Sequence, residues 1–119
     1  MKPIEHAIKS VQRYGGVVDD YQDVHEFLDM TKAAHPDMRH RAILHHSMGP
    51  FIAAQVFGRS ITNSEGRVCD VRQLVEDHII EDLGRIPTFS DWLTMIEPTP
   101  DNMRQFAHQR PRTFVRNLD

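Results

Sequence analysis

Two stretches of this chain constrain its fold most, because both set histidine where a core residue is expected. The first is Arg39-His40-Arg41-Ala42-Ile43-Leu44-His45-His46-Ser47-Met48-Gly49, and the second is Glu76-Asp77-His78-Ile79-Ile80-Glu81-Asp82. Both read as helix. In the second, His78 and Asp82 fall in the middle of the apolar sector formed by Val71, Leu74, Val75 and Ile79. A charged imidazolium on such a stripe is costly. A fold that buries these rings must therefore satisfy them with hydrogen-bond partners or gather them around a metal ion. Histidine accounts for 8 of the 119 residues, an excess in the residue type that most often ligates metals.

The bulk properties place that feature in a single small domain. A hydrophobic content of 39% and a charged content of 26% fit a globular protein with its own core. The net charge of -3 supplies no basic field for nucleic acid. The lone Cys69 excludes an internal disulfide. No apolar run reaches the length of a membrane span, and Met1–Glu5 has no apolar signal segment. A cytoplasmic protein is the expectation.

Along the chain, Ile4, Ala7, Ile8, Val11 and Tyr14 recur at helical spacing, which predicts a first helix over residues 3–14 ended by Gly15-Gly16. Asp20 is a candidate N-cap for a second helix to about Lys32, with His25 at the edge of its apolar face one turn before Asp29. A third helix is expected from Met38, kinked or broken near Met48-Gly49-Pro50 and continuing to Phe57. On its wheel His45 and His46 flank the small-residue side, and His40 points away. β-Branched residues around Asn63-Ser64-Glu65-Gly66 predict a short hairpin between Ile61 and Val71. A helix over Arg72–Leu83 follows, closed by Gly84. Thr88 and Asp91 form a capping box for a helix over Phe89–Ile96, with Trp92 expected to be buried against the helix that carries His78. The fold class is thus mostly α: a compact single domain of about five helices with one hairpin over residues 1–97. Residues 98–119 form a tail containing proline and arginine.

The candidate metal ligands are His25, His45 or His46, His78, and Asp82, the last as a fourth ligand or as the acceptor of a ligand's other N–H. The preferred convergent set is His25, His46 and His78. The cofactor expected is a divalent metal, zinc first, then iron or manganese. Were the site catalytic, it would carry out metal-assisted hydrolysis with Glu76 or Glu81 as the base. An HD-type phosphohydrolase would need Asp directly after a histidine of the pair, but Ser47 follows His46. The opposing reading makes these histidines core residues hydrogen-bonded to Asp82 or Glu81. Cys69 reads as a buried structural thiol, and Asn63–Arg67 as turn chemistry.

The blocks Asp20-Tyr21…Val24-His25…Leu28-Asp29, His40-Arg41-Ala42…His45-His46…Gly49, Ile61…Asn63-Ser64…Gly66-Arg67, Val71-Arg72…Glu76…His78 and Glu81-Asp82-Leu83-Gly84…Ile86-Pro87-Thr88…Asp91-Trp92-Leu93 occur in order. This pattern resembles a small domain-of-unknown-function family found in bacterial and phage genomes. The resemblance covers about residues 6–96 and implies a compact single domain with histidines as its distinctive equipment. It brings no activity with it. Three functions follow: a metal-binding protein with hydrolase chemistry, a non-catalytic module that binds a protein partner or a second copy and whose metal only staples the fold, and, third, a nucleic-acid accessory acting through the basic tail.

Overall fold

The computed structural model describes residues 1–96. Helix α1 spans Pro3–Tyr14, α2 Asp19–Asp29, α3 Gly49–Phe57, α4 Val71–Leu83 and α5 Phe89–Leu93; strands β1, Ser60–Thr62, and β2, Val68–Asp70, form the hairpin. Two 3-10 segments, Met30–Ala33 and Met38–Ile43, connect α2 to the loop before α3. The mostly helical domain with a single hairpin is as expected. The tail, residues 98–119, lies outside the described residues. No helix among the described residues is long and apolar enough to cross a membrane.

α1 turns a different face inward from the one its periodicity suggests. His6, Ala7 and Ser10 are buried, whereas Ile4 and Ile8 are exposed. α2 buries Tyr21, Val24, His25, Leu28 and Asp29. Asp20 does not cap it from outside; the helix begins after Val18, and the Asp20 carboxylate accepts from Val17 N and from Ser64 N and Oγ, tying the hairpin turn to α2. Within that turn Asn63 is buried, its Oδ1 accepting from the amides of Glu65 and Arg67 while Nδ2 donates to Tyr14 O and Tyr21 Oη. The hairpin pairs Ser60 with Asp70, Ile61 with Cys69 and Thr62 with Val68, and Cys69 is buried beneath it.

The third helix is the main correction. It does not run from Met38. The 3-10 segment capped by Asp37 ends at Ile43, residues 44–48 form turns, and α3 starts at Gly49. Pro50 explains the break, since it has no N–H to give an ongoing helix but fits the first turn of a new one. Gly49 permits the tight reversal: a Cβ there would collide with the carbonyl oxygen of Leu44. α4 is capped by Asp70, whose side chain accepts from Gln73 N, and ends at Gly84 in the left-handed region with φ of 82°. The capping box of Thr88 and Asp91 forms, but α5 stops at Leu93 rather than Ile96 and has no buried residue. Trp92 is half-buried and donates Nε1–H to the carbonyl of His45 at 2.9 Å, so it braces the 44–48 loop rather than filling the core.

α2 packs on α3 and α4, and α1 on α2 and α4. The apolar part of the interior comprises Tyr21, Val24, Leu28, Ala53, Val71, Leu74, Val75 and Ile79, with smaller contributions around it. Among the described residues, glycine and proline aside, the buried side chains divide almost evenly, eleven apolar against ten polar, and six of the polar ones are histidines. This interior is therefore about half hydrocarbon and half polar, with imidazole the commonest polar group.

Candidate metal centre

Four segments supply the polar half. α1 brings His6, and α2 brings His25 and Asp29, four residues apart on one face. α4 brings His78 and Asp82 by the same spacing. The 44–48 loop brings His45, held by the bond from Trp92 to its carbonyl. His45, His78 and Asp82 have side chains with 0% exposure, and Asp29 5%.

His78 is the hub. Its Nδ1 lies 2.9 Å from Nδ1 of His25, and its Nε2 lies 3.3 Å from both Asp29 Oδ1 and Asp82 Oδ2. Asp82 Oδ2 is also 2.9 Å from His45 Nε2, which in turn is 3.7 Å from Asp29 Oδ1. On the far side, His25 Nε2 is 2.8 Å from Ser10 Oγ. His6 Nδ1 is 2.6 Å from Glu81 Oε1, and Glu81 also binds Arg13. His6 Nε2 lies 3.2 Å from Asp82 Oδ1 but off the line of a hydrogen bond, so it has no partner. Asp29 Oδ2 and His45 Nδ1 are likewise buried without partners.

Among the described residues, two donor groups are close enough to share an ion: His6, His25 and His78, or Asp29, His45, His78 and Asp82. Ring geometry separates them. A ligated imidazole holds the metal near its own plane. The rings of His6 and His78 are stacked, 3.6 Å apart and inclined by 18°, so their planes meet only about 11 Å away, far beyond the roughly 2.0–2.1 Å of a zinc–nitrogen bond. The first group therefore does not fit one ion. The second does. Donors around a tetrahedral ion at about 2.05 Å lie about 3.3–3.4 Å apart. The four edges measured here are 2.9, 3.3, 3.3 and 3.7 Å. Two imidazoles on such an ion would have centroids about 5.2 Å apart. Those of His45 and His78 are 5.1 Å apart, with planes at 66°.

The electrostatics agree with the geometry. Burial opposes ionisation of Asp82, but its bond with His45 and the close rings of His6 and His78 override this and hold it well below the usual carboxylate range. Burial also opposes ionisation of Asp29, and the bond with His78 lowers it likewise. Burial works against a charged His78, yet its bonds to Asp29 and Asp82 raise it. Burial pushes His25 down to about 3, reinforced by the neighbouring rings of His78 and His6. It lowers His45 too, against the pull of Asp82. Without an ion, Asp29 and Asp82 thus favour the charged form of the His78 ring between them. Two carboxylates and two neutral imidazoles would balance one divalent ion, and on its outer side Asp82 Oδ1 also faces the Met1 amino group at 3.2 Å and Arg41 at 3.6 Å.

The structure brings His45, His78 and Asp82 together, with His25 behind His78. It does not bring His46 in. His46 Nε2 bonds Ile43 O, its Nδ1 accepts from Met48 N, and its ring lies edge-on to Phe89. His45 turns toward Asp82 and His46 toward Ile43 O and Phe89, so only one of the pair reaches the site. His40 is buried rather than turned away, bonded through Nδ1 to Thr31 Oγ1 at 2.7 Å. Glu81 stays on the His6 and Arg13 side, and Glu76 lines a shallow surface groove with Asp70, Arg72 and Gln73. Sequence reasoning did not name His6 or Asp29 as a ligand, although Asp29 stands one turn from His25. The spacing of Asp29 from His25, identical to that of Asp82 from His78, was the available signal.

No curated protein and no solved structure matches the chain at a significant level. Residues 1–102 match the family described as Domain of unknown function (DUF6915), and the chain belongs to that family.

Proposed function

We propose that this protein binds one divalent cation, zinc first, through Asp29, His45, His78 and Asp82, and that the ion staples the fold. The observation that carries the reading is the spacing of the four donor atoms: two edges of 3.3 Å match a tetrahedral ion, and edges of 2.9 and 3.7 Å lie within about 0.5 Å of it. Such an ion would tie α2, the 44–48 loop and α4 together at their polar contact. A catalytic zinc keeps a coordination position for water, whereas a structural one is closed by four protein ligands. Four donors with side chains at most 5% exposed support the closed kind. Glu81 is committed to His6 and Arg13, and Glu76 faces a separate groove, which weighs against either as a base beside the ion. A non-catalytic module stabilised by its metal is therefore the reading we favour over a hydrolase.

Elemental analysis of protein purified without a histidine tag tests this. One equivalent of zinc, iron or manganese is expected, and none in His45→Ala or His78→Ala protein that remains folded. Wild-type protein with no bound metal that also fails to take up added zinc would sink the proposal.

A further inference from the structure

The hydrogen bonds behind His78 run in one direction, and they reach from the ligand to the backbone of α1. Ser10 Oγ donates to the carbonyl of His6 at 3.2 Å. With its proton so used, that hydroxyl accepts from His25 Nε2–H at 2.8 Å. His25 then has a bare Nδ1, which faces Nδ1 of His78 at 2.9 Å. Two nitrogens at that distance need one proton between them, and it must belong to His78. The consequence falls on the other side of the ring: in the neutral form that ligates a metal, the nitrogen of His78 left with its lone pair is Nε2, the atom that points at Asp29 and Asp82. All three links are buried, so water does not compete for any of them.

We infer that Ser10 and His25 are positioning residues that fix the tautomer and orientation of His78 for the metal. This rests on the metal centre proposed above. Neither residue touches the ion. His6, which neighbours both, supplies the end of the chain through its backbone carbonyl, while its ring serves Glu81.

The test has two arms. Zinc affinity is measured by competition with a chromophoric chelator in wild-type, Ser10→Ala, His25→Leu and His25→Asn protein. Removing a partner that orients a ligand typically weakens metal binding about 10–100-fold. Ser10→Ala and His25→Leu are expected to fall in that range. His25→Asn keeps a carbonyl oxygen that can accept from His78 Nδ1–H, so it is expected to recover most of the affinity lost by His25→Leu. In the second arm, 15N-resolved NMR of metal-free wild-type protein reads the His25 tautomer, expected as Nε2–H and displaced in Ser10→Ala. Wild-type affinity in Ser10→Ala, or His25 found as the Nδ1–H tautomer, overturns the inference. If wild-type protein takes up no zinc, the metal centre fails, and the His25 tautomer still decides the direction of the chain. If His25→Leu does not fold, Ser10→Ala and His25→Asn carry the comparison.

Discussion

Asp29→Asn separates the ion from the packing. Asparagine keeps the shape of the side chain and an oxygen able to accept from His78 Nε2, which lies 3.3 Å from Asp29 Oδ1. It removes one of the two negative charges that balance a divalent ion. A ligand that binds only the folded state stabilises it by RT ln(1 + [L]/Kd), which is about 2.7 kcal/mol at a concentration 100 times Kd. Losing an orienting partner costs up to about 100-fold in affinity, and losing a charged ligand should cost at least that. At the same zinc concentration the variant would then sit near its own Kd and gain only about 0.4 kcal/mol. For a chain of this size 1 kcal/mol moves the melting temperature by roughly 3–5 °C. Zinc should therefore raise the wild-type melt by about 8–13 °C and the variant melt by about 1–2 °C. The metal-free proteins should differ by no more than about 1 kcal/mol, because the hydrogen bond survives. Differential scanning calorimetry with and without zinc measures both. An equal zinc-dependent gain in Asp29→Asn would refute the four-donor assignment.

Three further outcomes follow from the same geometry. His46→Ala should leave zinc affinity at the wild-type level, as checked by chelator competition, because that ring bonds Ile43 O and packs on Phe89 instead. Zinc affinity should fall about tenfold per pH unit once His78 begins to hold a proton, and because its folded pKa is raised, the fall should begin above about 6.5; titrations across pH 5–8.5 would show a flat profile above 6 if His78 were not the ligand. The metal-free protein should lose stability on acidification. His25, His45 and His40 all have lowered folded pKa values, so below about 6.5 the unfolded chain takes protons that the folded state refuses; His25 alone costs about 1.4 kcal/mol per pH unit down to its folded pKa of about 3. His78 acts oppositely, its contribution present below about 6.5 and lost as pH rises through its raised folded pKa. Urea unfolding at pH 7 and pH 5 checks the net sign, and greater stability at pH 5 would contradict it.

Much of the fold is legible in the chain because glycine, proline and capping residues act locally. Gly84 ends α4, Thr88 and Asp91 start α5, and Asn63 shapes the hairpin turn, each through bonds to residues close by. The site is harder to read for two physical reasons. Residues 38–49 carry a helical pattern, but Pro50 is satisfied by opening a new helix rather than by kinking an old one, and this places His45 on a turn with His46 facing away. Hydrophobic periodicity also misleads where the interior is polar. In α1 the isoleucines face out and His6 and Ser10 face in, because what they meet is imidazole and carboxylate from α2 and α4. A pattern search that assumes an oily core discards such residues in advance.

The burial of the donors would set the kinetics of the proposed site as well as its strength. Asp29 and Asp82 stand 53 positions apart in sequence, and with His45 and His78 they are sealed between helices. An ion held there can leave only when α2, α4 and the 44–48 loop come apart, so its departure is timed by the opening of the protein rather than by the strength of whatever competes for it. Loss to a chelator should then proceed at a rate independent of chelator concentration. The cation found in the folded protein would record which metal was at hand when the chain first closed.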